Sequence, residues 1–207
     1  MHQNTQLLFK KYALPYFKPG TRVLEIGPNK APSTFQEILQ DGSLTWDTLD
    51  ISSRSDIPLT YKTEDDYTFP VPDGSYDVVI SANVIEHVRK IWRWMPEVAR
   101  VTRPGGHVIT IAPVSWEYHE APVDCWRIYP EGMKALCEDA GLKVALCTWE
   151  ALGIERLRRL GGSVQLWQKL SGLLNLLHWK LKLPWEAAFD IILIAQVPVS
   201  KKPRALG

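Results

Sequence analysis

The stretch "VLEIGPNKAPS", residues 23–33, is a short apolar run that ends in a turn with one glycine, Gly27. Apolar residues bounded in this way read as a buried strand. Upstream, Leu7, Leu8, Tyr12 and Leu14 form a weak helical stripe that Pro15 and "KPG" stop, which predicts an N-terminal cap helix within residues 1–18. Downstream, "APSTFQEILQDG" predicts a helix closed by Gly42, and "SLTWDTLDI" alternates as a second strand ending near Asp50. "SYDVVISANV" is the next apolar strand, and "IEHVRKIWRWMPEVARVT" follows as a helix stopped by "RPGG". "HVITIAPV", a helix "PEGMKALCEDAGL" and the strands "KVALCTW" and "DIILIAQVPVS" complete the series, with Pro130 opening that helix and Gly141 closing it. Alternating buried-type strands and helices imply an α/β fold, a doubly wound and mostly parallel sheet with helices on both faces.

The 207 residues suit a single domain of usual size, roughly 100 to 200 residues. Hydrophobic residues make up 45%, charged residues 23%, and the net charge is +1, which excludes an acidic tail or a broadly basic nucleic-acid binder. Cys125, Cys137 and Cys147 lack C-x-x-C spacing, so neither a disulfide framework nor a structural zinc site is expected, and no metal site is assigned. "MHQNTQLLFKKYALPYFKPG" has no apolar core of signal-peptide length, and no stretch has the roughly 18 uncharged apolar residues of a spanning helix. The expectation is a soluble, cytoplasmic protein.

Residues 154–185 break the rhythm. Leu157, Leu160, Val164, Trp167, Leu174, Leu177 and Leu181 recur at helical spacings, with Gly161 and Gly162 at a joint, so a helical insertion is expected before the last strand. Its arginines and lysines among tryptophans and leucines leave three readings: a lid, a homodimer face or a peripheral membrane surface.

In an open doubly wound sheet, ligands bind beyond the carboxyl ends of the strands, so "GPN" and "DIS" face one crevice. An acidic residue about 20 positions past a glycine turn commonly binds ribose hydroxyls, and Asp50 is so placed after Gly27. That spacing suits NAD and other adenosine cofactors alike. A dinucleotide loop needs several glycines to approach a pyrophosphate, whereas S-adenosylmethionine has no phosphate and its carboxylate can be received by turn N–H groups. One glycine is then sufficient, with Asn29 able to tolerate a left-handed conformation. The plainer reading, a strand-ending turn, stands beside it.

"VLEIGPN", "TLDIS", "FPVPDGSYDVVISANVIEHV" and "VTRPGGHVITIAP", in this order, resemble the successive motifs of class I S-adenosylmethionine-dependent methyltransferases over roughly residues 20 to 150. The resemblance implies a Rossmann-like, seven-stranded sheet whose last strand is antiparallel, and S-adenosylmethionine as cofactor with S-adenosylhomocysteine as product. It implies that Glu25 anchors the methionine ammonium directly or through water, that the Gly27, Pro28 and Asn29 loop approaches the methionine moiety, and that Asp50 accepts the ribose hydroxyls. Ile51 would lie against adenine, and Asp65 or Asp66 would bond its amino group. Ser81, Asn83 and His87 would border the methionine end. Pro28-Asn29 departs from relatives with a second glycine here. Glu86 and His87 also read as a solvated helix start and a packed imidazole.

The loop "PVSWEYHEAPVDCWRIYP" follows a strand and opens onto the same edge. A hydroxyl acceptor needs a base, and His119 is the first choice because imidazole titrates near neutrality; Glu120 is the reserve, and packing is the plain alternative for His119. Asp124 and Arg127, three apart, suit an ion pair that braces the loop, or substrate contact. Trp116, Tyr118 and Trp126 suit either an acceptor wall or packing. Cys125 reads as a small buried residue. The expected activity is O-methylation of a small molecule or a sugar or glycan, with no nucleic acid as partner. N-methylation, and a non-catalytic cofactor-binding or membrane-associated scaffold, are the alternatives.

Overall fold

The computed structural model describes residues 3–51, 57–120, 123–152 and 189–199. The insertion read at 154–185 lies outside the described residues.

The chain opens with α1 (Gln3–Leu8), continued by a π turn (Phe9–Ala13) and a 3-10 turn (Leu14–Tyr16). Then come β1 (Arg22–Ile26), α2 (Thr34–Leu39), β2 (Thr45–Ile51), β3 (Tyr61–Thr63) and β4 (Tyr76–Ala82). After a 3-10 turn (Ile85–His87) follow α3 (Ile91–Val101), β5 (Thr102–Ser115), α4 (Pro130–Asp139), β6 (Lys143–Glu150) and β7 (Phe189–Gln196). The strands form one seven-stranded sheet in the order β3-β2-β1-β4-β5-β7-β6, parallel except for β7, which runs antiparallel to both neighbours. This is the expected Rossmann-like architecture.

Strand alternation divides the core between two faces. Leu24, Ile26, Val79 and Leu193 meet Trp94, Met95 and Met133 on one side, while Val23, Val78, Ile80, Ile109 and Ile192 meet Leu8, Phe9 and Phe35 on the other. Both faces of the central strands are therefore dry, which is why they read as continuous apolar runs.

Several boundaries differ from expectation. The buried stripe of the N-terminal helix is Asn4, Thr5, Leu8, Phe9, Ala13 and Phe17, while Leu14 is exposed, because the π and 3-10 turns shift the helical phase. α2 starts from a capping box between Ser33 and Gln36, and it ends on Gln40 in the left-handed region (φ 49°), ahead of Gly42. The long helix read over residues 85–102 is divided: residues 88–90 leave the helical path between the 3-10 turn and α3. "RPGG" lies within β5, where the ladder to β4 skips from Thr102 to His107. β3, too short for a periodic signal, escaped the sequence reading.

Candidate active site

The strand order reverses between β1 and β4, and at such a switch point the connections diverge and leave a crevice beyond the carboxyl ends. Glu25, Gly27, Ser81 and Asn83 all come from this point, because Ile26 pairs in register with Ser81. Asp50 stands one residue beyond the Ile26–Leu49 register pair, and Ile51 pairs with Thr63, just before Asp65 and Asp66.

Gly27 has φ +71°, and a Cβ there would sit 2.4 Å from Val84 Cγ2. Two requirements for glycine coincide, one conformational and one steric. The filled space belongs to Val84, however, so the missing side chain draws two loops of the crevice together. Pro28 is buried behind it. Asn29 does not use its tolerance of a left-handed conformation; its side chain instead brackets Thr34, accepting from the backbone N–H and donating to Oγ1 (3.0 Å) at the start of α2. The left-handed residue is Asn83 (φ 56°), whose N–H donates to Ile111 O and whose Oδ1 accepts from Thr5 Oγ1. A non-glycine residue held this way costs about 1–3 kcal/mol and marks a position that surrounding structure enforces.

Glu25 is only 2% exposed, and Trp46 Nε1 donates to its Oε2 at 2.9 Å. Burial pushes its carboxyl up to about 7, against the lowering pull of Ser33 and Trp46. Asp50 is half-buried in β2, and its Oδ1 accepts from the Ile51 N–H. Asp65 is exposed and committed to its own turn, accepting from Tyr67 N at 2.5 Å, whereas Asp66 is half-buried. Ser81 is buried against Thr110 Oγ1.

The loop after β5 is tied to the turn after β4. Cys125 N and Trp126 N both donate to Glu86 O, and Trp126 Nε1 donates to Val88 O at 2.8 Å. Asp124 and Arg127 form a bidentate pair, and Arg127 reaches on to the carbonyls of Trp116, Glu117 and Trp126, so the pair braces the loop. The guanidinium holds the Asp124 carboxyl down to about 2. Trp126 packs on the core, and its ring meets Trp92 edge-on. Tyr118 is 71% exposed and donates to Glu120, which places both on the solvent side rather than at the crevice. Cys125 is exposed, contrary to the buried reading, because only its backbone is tied down.

The brace presents His119 to His87, with ring centroids 5.0 Å apart and planes at 89°. His87 Nδ1 lies 2.6 Å from Val123 O, and His119 Nδ1 lies 3.1 Å from Glu117 O and 3.4 Å from Asp124 Oδ2. Beside them is Glu86, for which the sequence left a solvated helix start open. It is 1% exposed rather than solvated, because the 3-10 turn directs it inward. Burial pushes its carboxyl up to about 7, with Asn83 and the Arg127 guanidinium opposing the rise. Neither Glu86 oxygen meets hydrogen-bond geometry, nor does the buried Asn83 Nδ2 beside it. No periodic signal marks such a residue; its neighbour His87 and the turn were the available hints.

A cavity of about 510 Å³ lies elsewhere, at the amino ends of the strands beside Lys18, Thr21, Asp77, Arg103 and His107. Catalytic groups of a doubly wound sheet belong at the opposite edge.

A methyltransferase-domain family model matches residues 43–110, which span β2 to the middle of β5 and include Asp50, Ser81, Asn83, Glu86 and His87. An uncharacterized methyltransferase of Mycolicibacterium gilvum (strain PYR-GCK) is 57% identical over 37 residues, 18% of this chain and 14% of that protein. The match thus spans under a fifth of the relative's length. An S-adenosylmethionine-dependent methyltransferase from Aquifex aeolicus superposes with a TM-score of 0.56 at 14% identity, covering 94% of this chain and 89% of that one. Phosphoethanolamine N-methyltransferase 2 from Haemonchus contortus, solved with S-adenosyl-L-methionine, gives 0.57 at 18% identity, covering 96% and 52%. The sheet order is that of the S-adenosylmethionine-dependent methyltransferase fold, and the methyltransferase-domain match covers about a third of the chain. Among the described residues, no helix is long and apolar enough to cross a membrane.

Proposed function

We propose that the protein uses S-adenosylmethionine to methylate an oxygen of a small-molecule or glycan acceptor. The cofactor reading is supported by a crevice that suits it: a buried carboxyl, Glu25, for an ammonium; a half-buried carboxylate, Asp50, for ribose hydroxyls; and an orphaned donor, Asn83 Nδ2, for a carboxylate. The loop after β1 has one glycine, whose side-chain space Val84 fills, and lacks the further glycines that a dinucleotide's pyrophosphate requires. Asp66 is the preferred adenine partner, since it is half-buried where Asp65 is exposed. Bound there, the cofactor supplies a methyl group on a sulfonium, already activated for transfer.

The remaining work falls to the protein: orient the acceptor, exclude water and deal with the acceptor's proton. In-line positioning alone supplies up to roughly 7–11 kcal/mol. The observation that carries the oxygen-acceptor reading is the Glu86–His87–His119 group beside Asn83, since a hydroxyl, unlike a neutral amine, must lose its proton during transfer. His119 is the assigned proton-handling residue, held by Glu117 O and Asp124. Glu120 is not, because it points to solvent with Tyr118.

Calorimetry with S-adenosylmethionine and S-adenosylhomocysteine, followed by an acceptor screen read as S-adenosylhomocysteine release, tests the proposal. Saturable binding without competition from NADH, and turnover confined to hydroxyl acceptors, are expected. Tight NADH binding with no response to S-adenosylhomocysteine refutes the cofactor, and turnover on amines alone refutes the acceptor class.

A further inference from the structure

Three groups that ligate metals converge at the crevice. A carboxylate oxygen of Glu86 and one ring nitrogen each of His87 and His119 all lie within 4.8 Å of one another, with Glu86 Oε1 3.8 Å from His87 Nε2. Two ligands of one ion at about 2.1 Å stand roughly 3.0–3.4 Å apart, so a contraction of about 1.5 Å closes the set.

The surroundings already prepare both imidazoles. A metal-bound histidine normally donates its other N–H to a carbonyl or carboxylate, which fixes the tautomer and the ring plane. His87 Nδ1 is at 2.6 Å from Val123 O, and His119 Nδ1 is at 3.1 Å from Glu117 O with Asp124 Oδ2 beyond. Each contact keeps the proton on Nδ1 and directs the Nε2 lone pair elsewhere. The third ligand is the decisive observation. Glu86 is 1% exposed, and the donors nearest its oxygens, its own backbone N–H and Asn83 Nδ2, miss sound hydrogen-bond geometry. A buried carboxyl serving structure alone would spend its oxygens on donors. Arg127 attracts it through space but makes its bidentate bonds to Asp124.

We infer that Glu86, His87 and His119 form a site for one divalent first-row transition ion. Two imidazoles and one carboxylate suit zinc, manganese, cobalt or iron, and disfavour magnesium and calcium, which prefer oxygen ligands throughout. His119 is 36% exposed, so the ion would face the crevice and keep open positions. Only the catalytic consequence rests on the methyltransferase reading. An acceptor hydroxyl at an open position becomes more acidic, as zinc-bound water does, and its proton leaves to bulk water. His119 then acts as a ligand rather than as a free base.

The test uses the whole chain without cofactor or acceptor, so failure of the transferase reading leaves its outcome untouched. Zn²⁺, Mn²⁺ and Mg²⁺ are titrated by calorimetry, and Co²⁺ by its visible absorption, on wild type, Glu86→Gln and His119→Ala. Glu86→Gln keeps the buried shape, and circular dichroism checks that both variants fold. One Zn²⁺ or Co²⁺ per chain is expected, with a Co²⁺ spectrum of low coordination number, at least tenfold weaker binding in each variant, and Mg²⁺ weaker still. No stoichiometric binding overturns the site. So does binding that neither substitution weakens, since the ion would then sit elsewhere.

Discussion

The pH dependence of cofactor binding should follow Glu25. In the empty protein its carboxyl is raised from an ordinary 4.5 to about 7 by burial, so at pH 6 it is mostly neutral. The sign follows from linkage: a carboxyl whose folded value is raised favours the folded state fully below about 4.5 and loses that contribution as pH rises through about 7. Above neutrality the empty protein holds an ionised, desolvated group at a cost of order 3 kcal/mol. A ligand ammonium relieves that cost by pairing with the carboxylate, so binding selects the ionised form and releases a proton below pH 7. Affinity should therefore weaken about tenfold at pH 6 and about a hundredfold at pH 5 relative to pH 8. Calorimetry with S-adenosylhomocysteine in buffers of differing ionisation enthalpy measures both the affinity and the proton release. Glu25→Gln should bind at least tenfold more weakly at pH 8, having lost a charge-assisted bond of about 1.5–3 kcal/mol, and should show a flat profile. A flat profile in the wild type, or an unchanged slope in Glu25→Gln, would refute the reasoning.

Gly27→Ala should destabilise the fold by about 1–3 kcal/mol through strain and collision; adding Val84→Ala should recover the collision part only, which denaturant melts of the double-mutant cycle resolve. Asp50→Ala should weaken cofactor binding about ten- to a hundredfold by removing its charge-assisted bonds to the ribose hydroxyls, as calorimetry on the folded variant will show. Asn4→Ala should lower stability by about 2–3 kcal/mol, because it strips one bond from Asp190, a fully buried carboxyl, and removes the side-chain partner of Glu150 O and of the Leu152 N–H. His119→Ala should reduce kcat by about two orders of magnitude while cofactor affinity stays constant, as separate binding and turnover assays will tell.

The sheet was legible because its strands are buried on both faces, so apolar runs such as "SYDVVISANV" needed no partner to identify them. The crevice was legible where it coincides with strand ends, as at Gly27, Asp50 and Ser81. Side-chain direction was not. Glu86 is polar, sits after a strand and looks solvated in sequence, yet a three-residue turn buries it. Asn29 and Asn83 are the same residue type in two similar turns, and only long-range contacts, Ile111 O and Thr5 for Asn83, decide which one adopts a positive φ. Tyr118 and Glu120 were placed near the chemistry because their loop is; their two-residue local bond turns them away.

The Asn4 side chain has a further consequence, for the order in which the polypeptide matures. Its amide donates to Glu150 O and to Asp190, and its carbonyl accepts from Leu152 N, while Thr5 beside it bridges Asp190 and Asn83. Separations of 146 to 186 residues are closed by the first described turn of the chain. During synthesis, β1, β2 and β4 can pair while β7 is still inside the ribosome, yet the polar underside of Asn83 must wait for Asp190 to emerge. A nascent chain halted before β7 should therefore hold a partly formed sheet with an immature crevice, and acquire ligand affinity abruptly once the last strand slides between β5 and β6.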